Sequence, residues 1–110
     1  MAMAEFISAR RDDVARLCQA HGVRRLDVFG SATSDQFDPD TSDIDFIVDF
    51  GPAAQQRIFV HYFTLKQALE ALFARPVDLV MAGAMRNPYF VEAAMRTRQP
   101  VYAATLTDAA

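Results

Sequence analysis

The sequence holds a single cysteine, Cys18, which excludes an internal disulfide framework and provides no thiol cluster for a metal. It has no run approaching the ~20 apolar residues that cross a bilayer, so no membrane segment is expected. Nor does it open like a secretory signal, because Arg10, Arg11, Asp12 and Asp13 arrive before any continuous apolar stretch. The cytoplasm is the expected compartment. Positive charge is the most informative shortage: no Lys, Arg or His stands between Arg25 and Arg57. With a formal net charge of -3, the chain does not have the balance of a general nucleic-acid binder.

What fills that cation-free stretch is acid. It contains Asp27, Asp35, Asp38, Asp40, Asp43, Asp45 and Asp49. Carboxylates this close repel one another, and a fold must separate them, solvate them or bring a counter-ion from elsewhere. Asp35, Asp38 and Asp40 surround Pro39 in a polar segment and read as a solvated loop. Asp43 and Asp45 differ because of their flanks.

The length of 110 residues predicts one domain, 1–110. Residues Glu5 to Ala20 carry helical periodicity, with Gly22 as a stop. Val23 to Phe29 reads as a strand ending at Gly30-Ser31, and Ala32 to Ser42 as a loop. Asp43 to Phe50 alternates Ile44, Phe46, Val48 and Phe50 with Asp43, Asp45, Ile47 and Asp49, the pattern of a strand. Arg57 to Ala74 reads as a helix whose inner stripe is Ile58, Tyr62, Leu65, Leu69, Leu72 and Phe73. A short strand, Val77 to Met81, carries Asp78. Asn87 and Pro88 open a last helix over Tyr89 to Thr97, and Val101 to Ala103 forms a final strand. This order predicts an α/β (α+β) fold, a small mixed sheet covered by helices.

In a strand, residues two apart share a face, so Asp43 and Asp45 project together while Ile44 and Phe46 enter the core. Paired hard oxygen donors suit Mg²⁺ or Mn²⁺. Gly30 at a strand end permits close backbone approach, and Ser31 offers a hydroxyl and N–H groups to a phosphate. Asp78 sits among Val77, Leu79 and Val80, where an acid needs a metal or a cation such as Arg75. Alone, each piece has a mundane explanation: surface decoration, a common turn dipeptide, a salt bridge.

Together they resemble the MNT-type minimal nucleotidyltransferases of the DNA polymerase beta-like nucleotidyltransferase superfamily. That signature is Gly-Ser, about ten residues, Asp-x-Asp, and a later Asp on a third strand; here it reads Gly30-Ser31, Asp43-Ile44-Asp45 and Asp78. Pro76 to Val80, Arg86-Asn87-Pro88-Tyr89 and Pro100-Val101-Tyr102 extend the likeness over almost the whole chain. The resemblance implies transfer of a nucleoside monophosphate from ATP or another NTP to a hydroxyl. Asp43 and Asp45 would hold metal with the triphosphate. Asp78 would hold a second ion and help deprotonate the hydroxyl, while Ser31 and the Gly30 backbone would grip the outer phosphates. Two Mg²⁺ ions are implied, with Mn²⁺ an alternative. The family also implies a partner, a HEPN-type toxin modified on tyrosine, with neither nucleic acid nor membrane as a direct ligand.

The chain departs from the family after Gly30-Ser31. Ala32-Thr33-Ser34-Asp35 stands where relatives commonly carry Arg and Gly, and the loop is more acidic. Missing cations weaken triphosphate binding, and Arg57, Lys66 and Arg86 are alternative sources. A non-catalytic antitoxin acting by occlusion is therefore a second reading. Transfer to a small molecule such as an aminoglycoside is a third, disfavoured because such enzymes use a further acceptor domain. Phe59, Val60 and Phe63 lie off the inner stripe of their helix, where they serve either an interface or a second buried side. His21 and His61 read as solitary helix-end or surface residues, Cys18 as core, and Arg96 and Arg98 as complements to a helix dipole.

Overall fold

The computed structural model describes residues 5–30, 43–84, 92 and 95–104. Three helices cover one face of a four-stranded sheet of order β3-β2-β1-β4. The strands are β1 (Val23–Phe29), β2 (Ile44–Phe50), β3 (Val77–Met81) and β4 (Gln99–Ala103). β1 runs antiparallel to β2 and β4, while β2 and β3 are parallel, so the sheet is mixed as expected.

The expected first helix is split into α1 (Glu5–Ser8) and α2 (Arg11–Ala20). Neither Gly nor Pro stands at Ala9-Arg10, so no local stop signal predicts the break. Tertiary contact accounts for it: the short α1 turns Phe6 edge-on to Phe73, with ring centroids 5.8 Å apart, and buries Ile7 completely. Gly22 follows α2 with φ +69°, the left-handed conformation that suits a helix stop.

The long helix α3 (Ile58–Phe73) is preceded by a 3₁₀ segment over Pro52–Arg57. Leu65, Leu69 and Phe73 are buried, and Ile58, Tyr62 and Leu72 pack partly against them, which is the predicted stripe. α3 ends at Ala74, a non-glycine residue held at φ +55°. The core between helices and sheet gathers Val14, Cys18, Leu26, Val28, Ile44, Phe46, Val48 and Leu79. The Tyr62 hydroxyl donates to the Leu79 carbonyl at 2.6 Å, so α3 also fastens the β3 edge.

β4 begins two residues earlier than expected and includes Pro100. A proline has no N–H for a ladder, which an edge strand tolerates, and the register shifts between Leu26 and Asp27 opposite it. Of the expected last helix, residues 95–97 are helical and most of the remainder lies outside the described residues. No helix among the described residues is long and apolar enough to cross a membrane.

Candidate active site

Alternation sends Leu26, Val28, Ile44, Phe46 and Val48 toward the helices, which leaves Asp27, Phe29, Asp45, Ile47, Asp78 and Val80 on the other face. Register then decides which acids meet. Phe29 pairs with Asp45 across β1 and β2, and Asp45 pairs with Asp78 across the parallel β2 and β3. Partners on adjacent strands lie about 4.8 Å apart in the backbone, so the two carboxylates are direct neighbours. Asp43, just before β2, shares their face one step along the strand. A small apolar cluster of Phe29 and Ile47, flanked by Val80 and Ala82, lies beside them.

Asp45 feels this most. Burial, then the Asp78 charge, then the Asp43 charge push its carboxyl up to about 6. Two other acids of the cation-poor stretch are neutralised by arginines. Asp49 receives Nε and Nη2 of Arg24 at 3.1 and 2.9 Å. Asp27, fully buried, accepts from Arg25 Nε at 2.9 Å and also from Arg98 Nε. Among the described residues, no cation is ion-paired with Asp43, Asp45 or Asp78. Arg75, the structural alternative for Asp78, is instead stacked over the Phe6 ring at 4.8 Å, with Nε donating to the Phe73 carbonyl. Lys66 is engaged by Glu70 on α3 at 3.2 Å.

Gly30 closes one side of the cluster. A β-carbon at this position would stand 2.8 Å from Asp45 Oδ2, and φ is +74°, so glycine is required on two counts. The Gly30 N–H donates to Thr97 Oγ1 at 2.9 Å. Ser31, Arg86 and the segment Ala32–Ser42 lie outside the described residues.

The donor chemistry fits a hard divalent cation: carboxylate oxygens from adjacent strands, one of them partly desolvated, without a protein counter-charge among the described residues. As they stand, no three acidic, histidine or cysteine side chains among those residues converge tightly enough to enclose an ion.

Three expectations outside the cluster need comment. Cys18 is core, its thiol pushed up to about 12 by burial, and is no nucleophile. His21 and His61 are not solitary: their Nδ1 atoms lie 3.1 Å apart because the end of α2 meets α3. Burial, and then the second imidazole, lower the His21 pKa. Arg98 serves the buried Asp27 rather than a helix dipole, and Arg96 pairs with Glu92 at 2.6 Å. Asp27 and Thr97 escaped the sequence reading. The only hint for Asp27 was its place between core residues Leu26 and Val28, in phase with Phe29.

The pattern of the nucleotidyltransferase domain family matches residues 13–101. A candidate protein adenylyltransferase from Methanocaldococcus jannaschii is 33% identical over 73 residues, which cover 66% of this chain and 70% of the relative. A solved structure described as a minimal nucleotidyltransferase superposes with a TM-score of 0.71 at 34% identity, covering 91% of this chain and 96% of the other. A chain from the complex of a tri-AMPylated Shewanella oneidensis HEPN toxin with an MNT antitoxin gives a TM-score of 0.59 at 15% identity, covering 94% and 77%. At that identity the likeness is one of fold. The strand-borne acids, the glycine against them and a family match over most of the sequence converge: this chain belongs to the nucleotidyltransferase domain family, in its minimal form.

Proposed function

We propose that this nucleotidyltransferase transfers AMP from ATP to a tyrosine hydroxyl of a HEPN-type toxin, and so acts as an antitoxin. The observation that carries the reading is the acidic face, without a counter-charge among the described residues, on which Asp45 and Asp78 are cross-strand partners and Gly30 lies against the Asp45 carboxylate with no room for a β-carbon. Support for the acceptor comes from the relatives, one named as a candidate protein adenylyltransferase and one solved with an AMPylated toxin.

In this reading Asp43, Asp45 and Asp78 are the residues that would hold Mg²⁺ or Mn²⁺. A divalent ion supplies charge neutralisation for the triphosphate and for the attacking and leaving oxygens. Asp78 lies exposed at the edge of the cluster, where it can take the phenolic proton as the tyrosine oxygen attacks the α-phosphorus. The bond from that phosphorus to the β-phosphate oxygen breaks, and pyrophosphate departs. Ser31 is assigned to the outer phosphates. Gly30 contributes less through its amide, which Thr97 engages, than through the space its missing β-carbon leaves beside Asp45.

Phe59 and Phe63, 68% and 58% exposed on the outer side of α3, suit a protein partner. Co-expression with the adjacent open reading frame, then intact mass of both chains after incubation with ATP and Mg²⁺, tests the proposal. A gain of one or more AMP masses on the partner, abolished by Asp43→Asn, is the expected result. A stable complex that gains no mass with any NTP or metal would establish the second reading, an antitoxin acting by occlusion. The acidic Ala32-Thr33-Ser34-Asp35 segment favours that alternative.

A further inference from the structure

Thr97 and the Asp27–Arg98 pair lie beside the acidic face without belonging to it. Asp27 is the only charged or polar side chain in the buried set of the described residues, at 0% exposure. A carboxylate there is tolerated only with partners, and it has two. Arg25, two residues earlier on the same face of β1, donates to Oδ1. Arg98, distant in sequence, donates to Oδ2 from the junction between residues 95–97 and β4. Pro100 pairs with Asp27 in the sheet, so backbone and side chain agree on the register.

One residue before Arg98, the Thr97 hydroxyl accepts the Gly30 N–H at 2.9 Å. The β1 strand is thus fastened twice to the same short segment, once at Asp27 and once at Gly30. The second fastening holds the residue whose positive φ turns its bare α-carbon toward Asp45. The sequence after Gly30-Ser31 carries none of the cations that could order a phosphate-binding turn by themselves. Order at this end of β1 comes instead from the Arg98 segment, which the half-buried Arg98 anchors to Asp27.

We infer that Thr97 is a positioning residue for nucleotide binding: aimed by the Asp27–Arg98 pair, its hydroxyl fixes Gly30 against Asp45 at the end of β1. Neither Thr97 nor Asp27 touches the nucleotide in this account. The inference rests on the transferase reading above, because without a nucleotide to receive, Gly30 has nothing to position.

Asp27→Asn leaves Arg98 without its charge partner and risks misfolding, so the test uses Thr97→Val and Thr97→Ser. Valine keeps the shape and removes the acceptor; serine keeps the acceptor. Amide exchange at Gly30 is followed by NMR, and binding of ATP with Mg²⁺ by calorimetry, on the full chain. Losing one net hydrogen bond predicts about tenfold faster Gly30 exchange and about five- to tenfold weaker ATP binding in Thr97→Val. The melting temperature should change little, and Thr97→Ser should restore both properties. Unchanged ATP binding in Thr97→Val, whether or not Gly30 loses protection, overturns the positioning role and leaves the transferase reading standing. If the wild-type chain binds no nucleotide, the transferase reading falls and the positioning role falls with it. Gly30 exchange then still reports the contact as a purely structural one.

Discussion

Gly30 and Asp45 approach so closely that a β-carbon on the glycine would lie 2.8 Å from the carboxylate Oδ2. The contact ties the end of β1 to the middle of the acidic row. It also separates two effects of a single methyl group. Gly30→Ala must hold an alanine at φ +74°, which costs about 1–2 kcal/mol, and must push the Asp45 carboxylate aside. Urea titrations of Gly30→Ala, Asp45→Ala and the double variant should show the steric part vanishing in the double, while the backbone part persists.

Asp45→Asn removes a charge that burial, Asp78 and Asp43 all oppose. The metal-free variant should melt a few degrees above the wild type at pH 7.5, as is usual when a group tuned for function is neutralised. Its response to Mg²⁺ should be lost. A calorimetric scan with and without 5–10 mM, on the order of a saturating concentration for weak Mg²⁺ sites, reads both effects. A lower melting temperature in the metal-free variant would contradict the repulsion argument.

The pH dependence has a definite sign. In the fold Asp45 keeps its proton up to about 6, above the ordinary carboxylate value of 3.8. Between those values the native state binds more protons than the unfolded chain. This contribution to stability is complete below the unfolded value and is lost as pH rises through about 6. Thermal melts of the metal-free protein should therefore show this loss across the window, absent in Asp45→Asn. Divalent ions should offset it above the window, because the carboxylate must release its proton to bind them.

Phe59→Ala with Phe63→Ala should leave the metal-free melting temperature nearly unchanged, since both rings are mostly in solvent. Affinity for the partner should fall at least about tenfold if these rings anchor the interface. Fluorescence anisotropy of a labelled partner measures it, and a large stability loss would place the pair in the core instead.

Ala74→Gly tests the helix stop rather than the site. Ala74 adopts φ +55° at the end of α3, a conformation that costs alanine about 1 kcal/mol more than glycine. The substitution should raise the urea midpoint while leaving the slope of the transition unchanged.

Much of this architecture was legible because alternation and helical spacing are strong local signals. The β2 pattern of Ile44, Phe46 and Val48 against Asp43 and Asp45 assigned both faces of the strand correctly. The stripe on α3 did the same for Leu65, Leu69 and Phe73. What sequence could not supply was pairing between distant segments. Asp27 looked like one more acid in an acidic run until Arg98 arrived beside it from the far end of the chain. The meeting of His21 with His61, and the break at Ala9-Arg10 that swings Phe6 onto Phe73, are of the same kind. β4 began earlier than expected because Pro100 argues against a strand locally, while an edge position accommodates it.

The parallel pairing of β2 with β3 has a consequence for the order of events during synthesis. After Phe50 the chain must travel back along the sheet before β3 can begin, and α3 is that return path. Asp45 leaves the ribosome well before Asp78, and the two acids become neighbours only when the crossover has closed.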